Sequence, residues 1–428
     1  MLFKASLPFT AFVVWLLSVP MEGFLLVPLG IRNSIIFFLI PHILTLVFIG
    51  TARPRRYFSR IVVAGGAVAA GATLLLPHFP AATPWLLGLA GIGAAFLIVS
   101  AGIYMKKSPS TAGTAVLGLA AANVLLFFFS IVALSDKIRI PLAAALLFVP
   151  ALMRSDVEDR DDGESNLPAF LPFVFVYQIV SGLMYGVLYE HYARTAFFAG
   201  MELFFYVLAV CGGLLLLRRR ERLLALAIVT AMFAFSLYLL PGIVAINAAM
   251  FVMQGAAGLL DLYLLTLLLA QRDSVRAFGI GLAVGCSGIV LGKVIAHAVG
   301  DVSQLITAAA NLTLTLSVLI LYRVMQVEQR SRRLPSPVEK PATAESPAGR
   351  ELHVQPETSF ILPMGLGKRF SKQEKSALDC VVQGMTFKEA AQKLGVSESS
   401  IKTYMKRIYD KMDVSGKEEL MAKLKNKQ

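Results

Sequence analysis

Twelve apolar runs, each near the length needed to cross a bilayer, recur along residues 7–323. They lie near 7–28, 34–50, 61–77, 84–105, 112–134, 138–152, 167–189, 196–217, 223–240, 243–270, 277–298 and 302–323. A helix needs about 20 apolar residues to span the hydrocarbon core, and inside lipid its backbone polar groups must be satisfied within the segment. The run at 138–152 is short and that at 243–270 is long, which leaves eleven or thirteen spans open. With 57% hydrophobic and 16% charged residues, the chain is too apolar for a soluble protein. The expected fold class is therefore all-α. A polytopic helical bundle of about twelve spans occupies residues 1–330, and soluble helices follow it. The first run is long and has many successors, so it reads as a signal anchor rather than a cleaved leader.

The net charge of +13 divides between the loops and the C-terminal end. With the N-terminus placed in the cytoplasm, the inner loops carry Arg53, Arg55, Arg56 and Arg60; Lys106 and Lys107; Arg154 and Arg160; Arg218, Arg219, Arg220 and Arg222; Arg272 and Arg276; and Arg323, Arg330, Arg332 and Arg333. The outer loops carry only Arg32, Lys137, Arg139 and Arg194. Lysine and arginine favour the cytoplasmic side, so an even count with both termini inside a bacterial inner membrane is expected. Arg-dense loops at 52–60 and 218–222 echo one another, and the longest inner loop, 154–166, falls between the halves. This six-plus-six arrangement resembles the architecture of the major facilitator superfamily. That family's loop motif has only a degraded counterpart in Gly50 and Arg55-Arg56, without its Asp or second Gly, which weakens the case for an ordinary transport cycle.

Ionisable and polar side chains inside the runs mark candidate ligand contacts, because charge in lipid is costly. Glu22, Gln178, Tyr185, Asp261 and Lys293 are expected to line a central cavity, with Asp261 and Lys293 pairing across neighbouring helices. For any one of them a structural role is about as common, such as an ion pair that fixes helix register. Glu202 lies near an outer end, where solvation would satisfy it, and His42 and His297 read as packing histidines. Gly65, Gly281, Gly285, Gly288 and Gly292 fall at the small-residue spacing of helix contacts. Cys211, Cys286 and Cys380 form no metal or disulfide spacing and read as small buried hydrophobes. No phosphate loop, metal site or catalytic triad occurs, so no enzyme and no cofactor is expected.

The C-terminal stretch is of another kind. Ser371 with Glu374, Thr386 with Glu389 and Ser415 with Glu418 form three capping-box pairs, and Ser397 caps a further start. Four short helices beginning near 372, 387, 398 and 416 follow from these. Phe387, Ala390, Ala391 and Leu394 share one face of the second, and Ile401, Met405, Ile408 and Met412 one face of the third. A turn at Gly395-Val396-Ser397 joins them. Opposite the apolar face of the third helix lie Ser399, Lys402, Thr403 and Lys406. Two short helices around a glycine turn, the second with a basic outer face, fit a helix-turn-helix reading the major groove.

Phe370-Ser371, Glu374, Gly384, Lys388-Glu389-Ala390-Ala391, Leu394-Gly395-Val396-Ser397, Ile401-Lys402, Ile408-Tyr409 and Lys411-Met412 resemble the LuxR/NarL/GerE-type DNA-binding domain. The resemblance covers about one seventh of the chain. It implies that Lys402, Thr403 and Lys406 face the groove and that the last helix mediates dimerisation. Ser399, Arg407, Lys388, Thr386 and Lys411 complete the expected DNA-contact set. Tyr404 stands where the family usually has His, and Gly416-Lys417 where Asn-Arg or Ser-Arg is common. A solvated basic helix in some other small bundle is the plainer alternative.

Residues 331–362, rich in Pro, Ser, Ala and Glu, read as a flexible cytoplasmic linker between the membrane domain 1–330 and the module 363–428. The combination points to a membrane-bound, one-component transcription regulator. Its partners would be double-stranded DNA, the bilayer and a small-molecule or ion ligand, and it would be a homodimer on DNA. The alternative from another class is a transporter or transport-competent receptor with a secondary DNA-binding tail.

Overall fold

A computed structural model describes residues 2–21, 23–26, 29, 35–54, 57–132, 134–153, 167–299, 303–333, 371–394, 396–412, 414, 416 and 419–420. The chain separates into two compact units, Met1–Ser336 and Pro337–Gln428. Among the described residues all regular structure is helical.

The first unit holds α1 (Leu2–Ser18), α2 (Ile35–Ala52), α3 (Phe58–Leu75), α4 (Thr83–Lys106), α5 (Thr111–Ile131), α6 (Asp136–Leu146) and α7 (Phe148–Leu152). Then come α8 (Leu167–Leu183), which runs through a π-helical turn, Met184–Leu188, into α9 (Tyr189–Thr195). They are followed by α10 (Met201–Leu216), α11 (Arg220–Tyr238), α12 (Ile243–Ala270), α13 (Ser274–Val299) and α14 (Ser303–Arg333). Each of the twelve apolar runs overlaps a helix or a helix pair, although α1 ends at Ser18 within the run at 7–28. Eight helices among the described residues are long and apolar enough to cross a membrane, fewer than the twelve spans expected. The run at 138–152 is broken at Leu147 between α6 and α7 and contains Pro141. The apolar parts of α1, α11 and α14 are shorter, at Leu2–Ser18, Arg222–Tyr238 and Gln304–Ile320.

Helix pairing repeats between the two halves of this unit. In the first half α1 packs on α5, α2 on α4, α3 on α4, and α3 on α6 and α7. In the second half α8 packs on α13, α10 on α12, α11 on α12, and α11 on α14. Each pair in the first set has its counterpart in the second. The halves then meet reciprocally, α2 against α13 and α5 against α10. Of the two hydrophobic clusters, one holds Trp15, Phe38, Leu87 and Leu97 and runs across the halves to Tyr206, Leu262 and Phe278, and the other holds Phe173, Phe235, Met250 and Tyr263 of the second half.

Between helices in lipid there is no hydrophobic drive, so close backbone approach has to supply the packing. A Cβ on Gly292 would lie 2.1 Å from the Ile179 carbonyl, and one on Gly288 2.4 Å from the Phe175 carbonyl. These glycines bring α13 down onto α8. His42 is a packing histidine: its Nδ1–H donates to the Gly91 carbonyl at 2.9 Å, and its ring stacks on Phe38. Three loops read as cytoplasmic converge at one end. Arg53 pairs with Asp273 at 3.3 Å, while Lys106 donates to the carbonyls of Gln271 and Arg272 and to Ser274. The expected basic residues Arg55 and Arg56, the loop 154–166 and the linker 331–362 lie outside the described residues.

The second unit contains α15 (Lys372–Val382), α16 (Phe387–Leu394) and α17 (Glu398–Met412), which pack on one another around Leu378, Val381, Ala390, Ile401, Met405 and Ile408. Three of the four expected helix starts are described, each within one residue of its predicted place. The fourth, with Ser415 and Glu418, lies outside the described residues, although Leu420 is buried in the same core. Cys380 is a small core residue as expected. Cys211 instead is exposed on α10, and Cys286 is half-buried on α13.

Candidate functional site

The membrane unit encloses a cavity of about 510 Å³ between its halves. Helices α1, α2, α5, α8, α10, α12 and α13 all contribute walls. Of the five residues expected there, Gln178, Tyr185 and Asp261 line it, and Glu22 lies outside the described residues. Lys293 does not line it. Its backbone sits against Gly182 and Gly186 in the α8–α13 contact, where the side chain is buried. The expected Asp261–Lys293 pair is therefore replaced: Asp261 accepts a hydrogen bond from the Tyr206 hydroxyl at 2.8 Å. A buried carboxylate can be satisfied by a hydroxyl as well as by an ammonium.

Sequence reasoning missed Tyr189, Tyr192 and Tyr206, and it treated Glu202 as solvated. All four line the cavity, and Glu202 is buried, taking the Tyr192 hydroxyl at 2.6 Å. Gln178, Tyr185, Tyr189 and Tyr192 stand at i, i+7, i+11 and i+14, which ordinary helical spacing of about 100° per residue sets on one face, so this signal was present in the sequence. The π-helical turn at 184–188 falls within the stretch, and all four residues line the cavity. Nearby, Asn247 ties the α9–α10 connection to α12. It accepts from the Phe197 N–H at 3.0 Å and donates to the Thr195 carbonyl at 2.9 Å.

In the second unit, capping builds the recognition surface. The Ser371 hydroxyl accepts from the Glu374 N–H at 3.2 Å, and Glu374 returns a bond to the Ser371 N–H at 2.8 Å. Thr386 and Glu389 repeat the exchange at 3.3 and 2.8 Å, and Ser397 accepts from the Ser400 N–H at 3.2 Å. Gly384, with φ of 89°, closes α15: its own N–H reaches the Val381 carbonyl and the Met385 N–H reaches that of Cys380, the left-handed cap that glycine supplies. With Ile401, Met405, Ile408 and Met412 buried, Lys402, Thr403, Lys406 and Arg407 are left exposed on α17, and Thr386 and Lys388 at the start of α16. Ser399 and Lys411 lie on α17 by backbone position, and their side chains are outside the described set. Lys402 holds Glu398 at 2.7 Å. That ion pair, with Lys388 adding a smaller contribution, keeps the Glu398 carboxyl below its ordinary pKa. Lys402 of α17 and Lys388 of α16 thus both act on Glu398 at the α17 N-terminus.

Residues 368–424 match the family model of the bacterial regulatory proteins, luxR family. This segment is a LuxR-type helix-turn-helix domain. Its second and third described helices are the pair that such domains use at DNA. No curated protein matches the chain as a sequence relative. Among solved structures, several membrane transporters are similar over 76% of this chain. The transporter FucP of the major facilitator superfamily, in its outward conformation, is 12% identical with a TM-score of 0.54, covering 76% of this chain and 98% of its own. A bacterial homologue of the iron transporter ferroportin, outward-facing with soaked iron, is 13% identical with a TM-score of 0.54 and the same coverage. The human organic anion transporter TETRAN is 13% identical with a TM-score of 0.52, covering 76% of this chain and 97% of its own. At such identities the likeness is one of fold. The chain is a multi-pass membrane protein with a transporter-like fold and a LuxR-type domain, and neither kind of protein is an enzyme.

Removing a cap gives a measurable cost. Thr386→Ala is expected to destabilise the LuxR-type domain by about 1 kcal/mol, which lowers its melting temperature by about 4–8 °C in a domain of this size. Thermal unfolding of residues 363–428 checks this, and an unchanged midpoint would show that the box is ornamental.

Glu389 adds a pH dependence. Its hydrogen bonds from the Thr386 N–H and hydroxyl hold its carboxyl below the ordinary value of 4.5. A depressed carboxylate stabilises the fold above its unfolded pKa, and that contribution fades as pH falls through the folded value. The helicity of α16 should therefore decline from pH 4.5 downward in the wild type. In Glu389→Gln the decline should be shallower, as read by amide NMR shifts of residues 387–394.

Proposed function

We propose that this chain is a membrane-bound transcription regulator of the bacterial inner membrane. The transmembrane unit senses a ligand, and the C-terminal domain binds promoter DNA as a dimer from the cytoplasmic side. The observation that carries the reading is the exposed cationic face of α17 in a LuxR-type domain, joined in one chain to a unit that encloses a ligand-sized cavity. The arginine-rich loops favour a topology with both termini in the cytoplasm, where DNA is available. Lys402, Thr403 and Lys406 read base edges, while Ser399, Arg407, Lys388, Thr386 and Lys411 position the helix on phosphates. Residues 331–362 act as the linker between membrane domain 1–330 and module 363–428. Ligand occupancy shifts the equilibrium between arrangements of the two halves or of two chains, and this changes how paired domains meet paired half-sites.

The test is selection of DNA sequences by residues 363–428 and by the whole chain in detergent, at about 0.15 M salt, where contacts to phosphate alone fade. A selected motif that also drives a reporter dependent on this chain supports the regulator. Absence of any motif, even after artificial dimerisation of the segment, sinks it.

The second reading is a transporter, or a transport-competent receptor, with a secondary DNA-binding tail. What favours it is the pairing of helices about a central cavity, the arrangement that transporters of this fold use for alternating access. Substrate flux through vesicles that is lost in Asp261→Asn would support it.

A further inference from the structure

The cavity has a charge preference that the sequence concealed. Lys293, the cation expected in it, packs elsewhere, and among the described residues no lysine or arginine lines it. Two carboxylates do, Asp261 and Glu202. Each takes one tyrosine hydroxyl, from Tyr206 at 2.8 Å and Tyr192 at 2.6 Å. A carboxylate offers about four acceptor positions, so a single hydroxyl leaves most of them available to a ligand. Tyr185 and Tyr189 present a tilted ring pair in the same wall, with centroids 6.1 Å apart.

Two further groups point to an occupant. Gln178 and Gln254 are each only 9% exposed, line the cavity, and have no hydrogen-bond partner for their side-chain amides among the described residues. Neither amide is among the fully buried unpaired polar atoms, so both face the cavity space and offer donors and acceptors to an occupant. The volume of about 510 Å³ falls in the range that holds a drug-sized molecule.

Three ligand classes can be compared on these groups. Among the described residues an anion would meet two carboxylates and no lysine or arginine in a medium of low dielectric. A purely apolar molecule would leave the amides and both carboxylates uncompensated. A cation on an aromatic or aliphatic body satisfies all of them, since the tyrosine faces attract positive charge and the apolar walls cover the body.

We propose that the cavity formed by Asp261, Glu202, Gln178, Gln254, Tyr185 and Tyr189 is a binding site for a lipophilic organic cation, such as an amine, a quaternary ammonium or a phosphonium. The inference rests on the reading of this unit as the ligand-sensing part, and it deepens that reading by naming the ligand's chemistry.

The decisive experiment uses two ions of the same shape and opposite charge. The full chain, purified in detergent, is dialysed to equilibrium against tetraphenylphosphonium or tetraphenylborate, with protein-free micelles as the blank. Saturable binding of the phosphonium and none of the borate is expected. Asp261→Asn and Glu202→Gln should each weaken phosphonium binding about tenfold or more, the loss of one charge-assisted contact. The proposal is overturned by saturable borate binding of equal or greater affinity, by absence of saturable phosphonium binding, or by unchanged phosphonium binding in the double variant. If the variants do not fold, the comparison of the two ions on the unaltered chain decides alone. The sensor reading has its own readout. Phosphonium that binds without altering a reporter driven by the selected DNA motif leaves the site standing and removes the sensor.

Discussion

Replacing Lys402 and Lys406 together with alanine should abolish sequence-selective DNA binding by the LuxR-type domain. Each well-placed contact to a base edge contributes about 1–3 kcal/mol, so the pair contributes about 2–6 kcal/mol, on the order of 30- to 10⁴-fold in affinity. Both side chains are exposed, and the core of the domain lies on the opposite face of α17, so stability should change by no more than about 0.5 kcal/mol. Lys402 would have to leave Glu398 to reach DNA, and an exposed ion pair of this kind costs less than about 1 kcal/mol to exchange. Where the lysines meet phosphates instead, the slope of log affinity against log salt should fall by about 2. The two roles are thus separable in one titration series. A double variant that selects the same motif with affinity within about threefold of wild type would remove α17 as the reading helix.

The second large effect concerns α8 and α13. Gly292→Leu places a branched side chain where the Ile179 carbonyl would lie 2.1 Å from its Cβ and the Gly182 Cα 2.8 Å away. Backbone on both sides leaves no flexible atom to yield, so the helices must separate. Overpacking usually costs about 1–3 kcal/mol, and a backbone clash belongs at or above the top of that range. Because α13 also packs on α2, the separation spreads to the contact between halves and to the cavity wall. The expected result is a membrane unit that unfolds in detergent well below wild type, or fails to accumulate. Gly212→Leu is the matched control, since a Cβ there meets nothing within 4 Å, and removing a helical glycine is neutral to slightly stabilising. Equal melting midpoints for the two variants would show that the close approach contributes little.

The starts of α15, α16 and α17 were legible because capping is local: Ser371 with Glu374 and Thr386 with Glu389 lie three residues apart and decide their own geometry. The membrane unit divided differently. Gln178, Tyr185 and Asp261 stood out as polar groups in apolar runs, and each does line the cavity. Lys293 stood out equally and lies elsewhere, because a run reveals depth along a helix but not which way each side faces once neighbours pack. Tyr206 and Asp261 are 55 residues apart, and no spacing rule links them. Glu202 looked solvated from its place near a helix start, whereas Tyr192, reaching it from α9, buries it. The span count was least legible at 138–152, where α6 ends at Leu146 and α7 begins at Phe148.

The π-helical turn at Met184–Leu188 gives the chain a rotational clutch. One surplus residue is stored there, and a helix can pass such a surplus along its length by exchanging one hydrogen-bond partner for the next. Each exchange turns the intervening side chains by about 100° about the axis. Tyr189 and Tyr192 lie beyond the turn, while Gln178 precedes it. The angular setting between amide and rings is therefore a separate variable from the placement of the helix itself. A one-residue deletion or insertion in this stretch would reset the dial without lengthening or shortening any other element, and the lining of the cavity can diverge between related chains by that small step alone.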